Sequence, residues 1–214
     1  MLTLDKSVSI LFWRSQIMDL LEKPIYRYIK RNHGLITFRD IEELNFSYQQ
    51  LNQLIAKGSV ESTERGIYHL PDTYIDDYFS LQYRFPKGIY SLETALWLHG
   101  FSLTVPFEPV MTFPFGTNTS SVKEAGIKPI IVRNYHEVGI VKMERQSGQS
   151  ISVYDIERTL VECLRPIYHI DVQIIAPAFK YYFEKGDINL PKLFEYAKLF
   201  RVEKKLYPYI EVLS

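Results

Sequence analysis

The amino-acid sequence predicts an α+β protein with two domains. Between Thr37 and Leu70, two short helical segments precede a two-stranded ribbon. From residue 105 to 154, short apolar runs alternate with glycine, proline, asparagine and serine, and from Asp155 onward apolar residues recur at helical spacing. Strands followed by helices are typical of the α+β class.

The chain before Thr37 gives two predictions. Residues 1–16 are expected to form an N-terminal arm or an extra helix, because their apolar side chains, Val8 and Ile10 to Trp13, have no clear period. In residues 17–31 the apolar side chains recur at helical spacing, which predicts a helix. Pro24 favours a break or a late start of that helix because proline lacks the amide hydrogen needed in a helix interior. We expect this helix to pack on Leu44 and Leu54.

Two capping motifs define the next helices. Thr37 can accept a hydrogen bond from the first helical turn and Asp40 can bond back to it. Ser47 and Gln50 repeat this spacing, so a second helix is predicted to begin at Tyr48. The residues predicted to face inward are Phe38, Ile41 and Leu44 in the first helix and Leu51, Leu54 and Ile55 in the second.

The second helix is predicted to contact DNA. Gly58 follows it, and strands on either side of Glu64, Arg65 and Gly66 complete the order of a winged helix-turn-helix domain, predicted to span 17–80. Amide side chains opposite the apolar face pair with adenine, whereas a lysine binds phosphate and an arginine at the ribbon tip enters the minor groove. The predicted DNA-binding residues are Tyr48, Gln49, Asn52, Gln53, Lys57 and Arg65. The alternative is an ordinary solvated helix face and turn.

The overall charge gives no general attraction for polyanions. The chain has 25 basic and 25 acidic residues, and residues 1–86 contain ten Lys plus Arg against eleven Asp plus Glu. DNA binding would therefore depend on a local patch and be sensitive to salt. That predicted patch consists of Arg27, Lys30, Arg31, Arg39, Lys57 and Arg65.

Cysteine content and hydropathy predict a cytoplasmic protein. Cys163 is the single cysteine, which excludes an internal disulfide and a zinc site built from several thiolates. The N-terminus does not resemble an export signal, and no run of about 18 apolar residues occurs. We expect no membrane span, no metal and no cofactor.

The second domain is predicted to span 87–214. Pro71 and Pro86 bracket the connection to it, and Ser91 is expected to cap a helix that ends at Gly100. Strands are predicted in the runs PVMTFPF, PIIVRN, VGIVKME and SISVY. Helices are predicted after Asp155 and Asp171, over Leu190–Phe200 and from Val202 to the end.

Catalysis has weak support in the sequence. Cys163 lies within an apolar helical stretch, where a thiol usually behaves as a small hydrophobic group rather than as a nucleophile activated by His99, His136 or His169 as base. Glu203, Lys204 and Lys205 contain a nuclease-like E-x-K fragment without a preceding aspartate at strand spacing. No enzymatic activity is therefore expected.

Several segments together resemble a known family. They are RGIYHLP, GIYSLETALWLHGFSLTVPFEPVMTFPFGTN, ISVYDIERTLVECLR and LPKLFEYAKLFRVEKKLYPYIEVL. Their order over residues 18–214 resembles the abortive-infection AbiEi family of antitoxin regulators. The helix SYQQLNQL departs from the family pattern because it is rich in amides rather than basic.

The resemblance implies a transcriptional repressor and antitoxin. Its N-terminal winged helix would bind operator DNA, usually inverted repeats upstream of its own operon, and its C-terminal domain would act as the antitoxin. The implied partner is a cytosolic toxin of the nucleotidyltransferase fold in a type IV phage-defence system, in which no stable complex between the two proteins is required.

One helix of the second domain is a candidate antitoxin surface. With Ile156, Leu160, Val161 and Leu164 inward, the side chains of Arg158, Glu162 and Arg165 are predicted to project outward, where the arginines could bind phosphate or an acidic toxin surface. The alternative is a solvated helix face on which Arg158 and Glu162 form an i,i+4 pair.

Two other functions remain open from the sequence. One is a plain winged-helix repressor whose C-terminal domain senses a ligand or oligomerises. The other is a DNA-targeted nuclease that uses Glu203 and Lys205.

Overall fold

The computed structural model describes residues 23–213. The predictions for residues 1–16 and for the start of the 17–31 helix lie outside these residues. The described chain forms two compact units, one comprising 23–80 with 144–149 and the other comprising 81–143 with 150–213. Helices and sheets are mixed in the chain, as the predicted α+β class requires.

The first unit contains three whole α-helices and a three-stranded sheet. In chain order these are α1 (Pro24–Arg31), β1 (Leu35–Thr37), α2 (Phe38–Glu43), α3 (Tyr48–Ala56), β2 (Glu61–Glu64) and β3 (Ile67–His69). Strand β3 lies between β1 and β2 and is antiparallel to both. Helix α1 begins at Pro24, the residue at which the sequence predicted a break or a late start.

The core of the first unit is aliphatic. It consists of Ile25, Ile29, Ile36, Ile41, Leu51, Leu54 and Val60. Helix α1 therefore packs with Leu54 as predicted, but Leu44 lies outside this core and is 48% exposed. Leu44 is the C-cap of α2, immediately before Asn45 turns the chain with φ +53°, so it does not share the inward face of Ile41.

Phe38 is also not an inward residue. It is 42% exposed, and its ring packs against that of Tyr48 with 5.6 Å between centroids. Phe38 lies in the first turn of a helix of six residues. In a helix this short, apolar residues at helical spacing do not all face the core.

Residues 144–149 join the first unit through two side chains. The amide of Gln149 accepts from the backbone of Asp76 and donates to the carbonyl of Tyr74, at 2.8 and 2.7 Å. Arg145 forms a 3.1 Å ion pair with Asp76. The connecting helix α4 spans Asp77–Arg84.

The second unit contains a five-stranded mixed sheet. Its strands are β4 (Ile89–Tyr90), β5 (Val110–Pro114), β6 (Lys128–Val132), β7 (Ile140–Glu144) and β8 (Ser150–Tyr154), in the order β6-β5-β4-β8-β7. Strand β4 is antiparallel to β5 and parallel to β8, and β5 is parallel to β6. The four predicted strands are therefore confirmed, and the two-residue strand β4 is additional.

Six α-helices belong wholly to the second unit. They are α5 (Leu92–Leu98), α6 (Ser120–Glu124), α7 (Ile156–Cys163), α8 (Val172–Lys185), α9 (Leu190–Phe200) and α10 (Glu203–Leu213). Ser91 precedes α5 as predicted, but its hydroxyl accepts from Thr112 rather than from the helix. Asp155 caps α7 as predicted.

Helix α7 lies at the centre of the second unit. Every residue from Glu157 to Cys163 is buried. Its apolar side chains belong to the same core as Leu96, Phe179, Leu193 and Leu206 from the neighbouring helices.

Candidate nucleic-acid interface

Helix α3 is held in a defined orientation by its cap and its apolar face. The hydroxyl of Ser47 accepts from the amide of Gln50 at 3.4 Å, so the predicted N-cap is present. Leu51 and Leu54 are fully buried in the core of the first unit. The opposite side of α3 therefore faces solvent.

All six residues predicted to contact DNA have exposed side chains. They are Tyr48, Gln49, Asn52, Gln53 and Lys57 on and after α3, and Arg65 at the ribbon tip. Burial therefore excludes none of them, and their role in DNA binding stays a prediction. The six basic residues of the predicted patch are exposed as well.

Lys23 is a further basic residue at this surface. Its ammonium group donates to the side-chain oxygen of Gln53 at 3.0 Å. Lys23 was not among the predicted residues, because its contact with Gln53 joins positions 30 apart in the chain. Because Lys23 bonds the amide oxygen of Gln53, the amide nitrogen of Gln53 remains available to donate to an acceptor.

The ribbon that presents Arg65 is stabilised by side-chain hydrogen bonds. The hydroxyl of Ser62 donates to the carbonyl of Ile67 at 3.2 Å, and the ring of His69 bonds the hydroxyl of Thr63 and the carbonyl of Leu70. Gly66 has φ +87°, a conformation that side chains with a Cβ rarely adopt. These contacts fix the turn at the exposed Arg65.

Carboxylates flank the basic residues of this surface. Strand β2 exposes Glu61 and Glu64 next to Arg65, and α2 exposes Glu42 and Glu43 before the turn. These carboxylates are negatively charged, as DNA phosphates are, and they repel a duplex. Only a few cations on this face would therefore attract DNA.

The candidate antitoxin residues are placed differently from the prediction. Arg158 and Glu162 are 0% and 1% exposed, so the prediction that they project into solvent is wrong. The side chain of Arg165 is 30% exposed. The alternative of a solvated ion pair is wrong in the same way, because the pair exists with 3.3 Å between Arg158 Nε and Glu162 Oε2 but is buried.

The chain after β6 covers this face of α7. The guanidinium of Arg158 donates through Nη1 to the carbonyl of Tyr135 at 2.7 Å and also to the carbonyl of Val138. It lies over the ring of Tyr154, 3.3 Å from its centroid, with Phe200 on another side. Partners distant in sequence therefore replace solvent around Arg158.

Glu162 is shared among three groups. It pairs with Arg158, lies 3.5 Å from Arg165 Nη1 and accepts from the Tyr168 hydroxyl at 3.3 Å. Burial, with the nearby Glu162 charge adding to it, raises the pKa of Tyr168 to about 12. This phenol is therefore a neutral hydrogen-bond donor at physiological pH.

A second buried polar group lies at the start of α7. Asp155 accepts from the backbone of Arg158 at 2.8 Å and from the Tyr196 hydroxyl at 2.7 Å, and it lies 3.3 Å from Lys192. Gly139 has φ +72°, and a Cβ there would lie 2.7 Å from Asp155 Oδ2 and 2.6 Å from the Tyr196 hydroxyl. The close approach of this backbone requires glycine.

Cys163 is not placed as a nucleophile. It is buried, and that burial raises the pKa of its thiol well above the ordinary value, which disfavours the reactive thiolate. Across residues 23–213, no three His, Cys, Asp or Glu side chains come together in a way that could hold a metal ion. The prediction that the chain has no enzymatic activity stays a prediction.

A family model of known proteins matches part of the first unit. Residues 24–71 match the family model described as transcriptional regulator, AbiEi antitoxin. No curated protein matches the chain. In the described residues, no helix is long and apolar enough to cross a membrane.

The fold is similar to that of a solved structure. It is the crystal structure of RV2827C protein from Mycobacterium tuberculosis, with a TM-score of 0.50 and 12% sequence identity, covering 80% of this chain and 69% of that chain. This likeness concerns the fold alone. The family match lies in the unit that carries α3 and the ribbon, and over residues 24–71 it confirms the resemblance to the AbiEi family of antitoxin transcriptional regulators.

Proposed function

We propose that this chain is an antitoxin regulator that represses its own operon by binding operator DNA. Its first unit acts as a winged helix-turn-helix domain, with α3 in the major groove and Arg65 reaching the adjacent minor groove. The protein acts in the cytosol within a type IV phage-defence system, and it counteracts a nucleotidyltransferase toxin without requiring a stable complex.

The observation that carries the DNA-binding proposal is the division of α3 into two faces. Leu51 and Leu54 are fully buried, whereas Gln49, Asn52 and Gln53 are exposed on the other side. Amides on a helix fixed in this way can form the paired hydrogen bonds that identify adenine. The family match to a transcriptional regulator covers this helix and supports the proposal.

The test is DNA binding by the full chain to the region upstream of its own gene. We expect a variant with Gln49→Ala, Gln53→Ala and Arg65→Ala to bind at least about tenfold more weakly, since one paired base contact is worth about 1–3 kcal/mol. Fluorescence anisotropy with the upstream duplex and with a scrambled duplex measures this loss and its sequence dependence.

Two matched controls come from the second unit. Gln173→Ala removes an exposed amide from the first turn of α8, and Lys123→Ala removes an exposed cation from α6. Both control variants should bind the upstream duplex like the unmodified protein. Equal affinity of the triple variant and the unmodified protein would contradict the assignment of α3 and Arg65.

The antitoxin part of the proposal has a separate test. A toxin gene next to the gene for this protein would be expressed with and without the full chain, and growth would be measured. We expect rescue by the unmodified protein and also by the triple variant, because DNA repression and toxin neutralisation are assigned to different units. Failure of both proteins to rescue growth would favour a plain repressor.

A further inference from the structure

An arginine-rich cavity opens beside α7, entirely within the second unit. Its volume is about 430 Å³, which falls in the range of roughly 300–1,000 Å³ typical of small-molecule sites. Its walls are the segment after β6, the turn after α7 and the end of α9. The buried Arg158 lies at the floor, and the exposed Arg133 and Arg201 lie at the rim.

The cavity carries an excess of positive charge. Four arginines and one carboxylate line it, which gives +4 − 1 = +3 at neutral pH; they are Arg133, Arg158, Arg165, Arg201 and Glu162. Glu162 is already shared by Arg158 and Arg165. Within residues 23–213 the rim residues Arg133 and Arg201 form no salt bridge, so an anion in the cavity would be attracted by charge that the protein leaves uncompensated.

Two residues of this cavity have unusual backbone conformations. Tyr135 has φ +64° and Arg201 has φ +59°, which cost about 1 kcal/mol or more each for residues with a Cβ. The conformation of Tyr135 directs its carbonyl to Arg158, and that of Arg201 ends α9 at the rim. A left-handed residue at the end of a helix, as at Arg201, is common, whereas Tyr135 has this conformation outside any helix end while its carbonyl bonds Arg158.

Aromatic and aliphatic groups line the rest of the cavity. Phe200 lies with the guanidinium groups of Arg158 and Arg165 each 5.4 Å from its ring centroid, and Tyr135 is 46% exposed. Ile167 is 69% exposed at the mouth. A ligand could therefore place a flat apolar ring beside these groups while its charged end meets the arginines.

We propose that this cavity binds a nucleotide, with the phosphate held by Arg133 and Arg201 at the rim and the base packed against Tyr135 and Ile167. Planar guanidinium groups match the geometry of phosphate oxygens, and several of them favour a group with more than one negative charge. Nucleobases stack on aromatic side chains with little dependence on base identity. A free mononucleotide and the terminal nucleotide of a nucleic acid strand share this chemistry.

The experiment measures binding to the full chain by isothermal titration calorimetry. The probes are AMP and GMP, adenosine, inorganic phosphate, and a 5′-phosphorylated tetranucleotide. We expect a nucleotide probe to bind more tightly than either adenosine or phosphate alone, because each of those lacks half of the recognised groups. Tighter binding of AMP or GMP identifies a free nucleotide, and tighter binding of the tetranucleotide identifies a strand end.

Variants at the rim locate the site without disturbing the core. Arg133→Ala with Arg201→Ala should weaken nucleotide binding at least about tenfold, while both side chains are exposed and the fold should be retained. Arg84→Ala removes an exposed arginine elsewhere in the second unit and should leave binding unchanged. The α3 triple variant should also bind the nucleotide normally, which separates this site from DNA recognition.

Three results would overturn the proposal. One is the absence of heat from every nucleotide probe at millimolar concentration. Another is undiminished binding by the folded rim variant, with folding checked by circular dichroism. The third is equal affinity for inorganic phosphate and for the nucleotides, which would contradict recognition of the base.

Discussion

Helices α3 and α7 have similar patterns in the sequence and opposite surroundings in the structure. Each begins with a side-chain N-cap and has an apolar face opposite polar residues. In α3 the polar face is exposed, whereas in α7 the residues from Glu157 to Cys163 are buried on all sides. A polar helix face is therefore a solvated face only when no other part of the chain supplies partners for it.

The partners determine what the polar and charged residues of the two helices do. Around α7, carbonyl groups, tyrosine hydroxyls and lysine compensate the buried charges, so these charges organise the fold of the second unit. The exposed amide side chains of α3 are uncharged, so they remain able to exchange solvent for the groups of a ligand. The exposed amides therefore suit recognition, and the buried ion pair suits structural specificity.

The largest expected effect on stability comes from placing a methionine in α7, and the same substitution in α3 serves as the comparison. Arg158→Met should lower the free energy of unfolding by about 3–5 kcal/mol, because it leaves Glu162 and two carbonyl groups without their buried partner. Gln53→Met in α3 should change it by less than about 0.5 kcal/mol, since that site is exposed. Urea denaturation measures both variants.

A double variant shows the origin of the Arg158 effect. Arg158→Met with Glu162→Met removes both charges, so the loss should be smaller than for Arg158→Met alone, although the carbonyls of Tyr135 and Val138 stay unpaired. An equal loss in the single and double variants would show that packing and the unpaired carbonyl groups, rather than the lost partner of Glu162, govern stability here.

The next effect compares the two N-caps. Ser47→Ala in α3 should cost about 1 kcal/mol, as the loss of a cap usually does. Asp155→Ala in α7 should cost about 3 kcal/mol, because Asp155 also binds the Tyr196 hydroxyl and Lys192 in a buried place. Denaturation curves of the two variants would contradict this difference if their midpoints shifted equally.

A companion variant separates the two roles of Asp155. Asp155→Asn keeps a side-chain oxygen for the cap and removes the charge that attracts Lys192. Its stability should lie between those of the unmodified protein and Asp155→Ala. An Asp155→Asn variant as unstable as Asp155→Ala would assign the whole effect to the charge.

Features set by residues close together in the chain were predictable from the sequence, whereas those set by distant residues were not. The helices of the first unit were predictable because their caps at Thr37 and Ser47 use residues three positions apart. Strand β1 was missed because three residues form a strand only by pairing with β3, which lies about thirty residues later.

The second unit was predictable in its elements and not in the burial of its charges. The strands β5 to β8 and the Asp155 cap follow from local patterns. The burial of Arg158 depends on carbonyls of Tyr135 and Val138, more than twenty positions upstream for the former, and on the left-handed conformation of Tyr135. Local periodicity carries no information on such contacts.

Neutralising the exposed carboxylates of β2 should change DNA binding more than it changes stability. Glu61 and Glu64 on β2 are exposed and form no salt bridge within the described chain, so Glu61→Gln with Glu64→Gln should leave stability nearly unchanged. Under the proposed DNA-binding mode the same variant should bind the upstream duplex about two- to tenfold more tightly, because two charges that repel phosphate are removed. Unchanged affinity at low salt would place the ribbon away from DNA.

The smallest effect is a pH dependence confined to the second unit. Burial lowers the pKa of His99, whose Nε2 bonds the carbonyl of Tyr154 at 2.8 Å. The unfolded chain then binds more protons than the folded chain as the pH falls below about 6.5, so the stability present above that pH is lost on acidification, by at most about 1.4 kcal/mol per pH unit.

The fluorescence of Trp97, two residues before His99, can report this dependence once Trp13→Phe removes the other tryptophan. In that background His99→Gln keeps an amide donor for the Tyr154 carbonyl and cannot titrate near neutral pH. The slope of unfolding free energy against pH between 5 and 7 should therefore be shallower for His99→Gln. Parallel slopes with and without His99 would assign the acid sensitivity to groups other than His99.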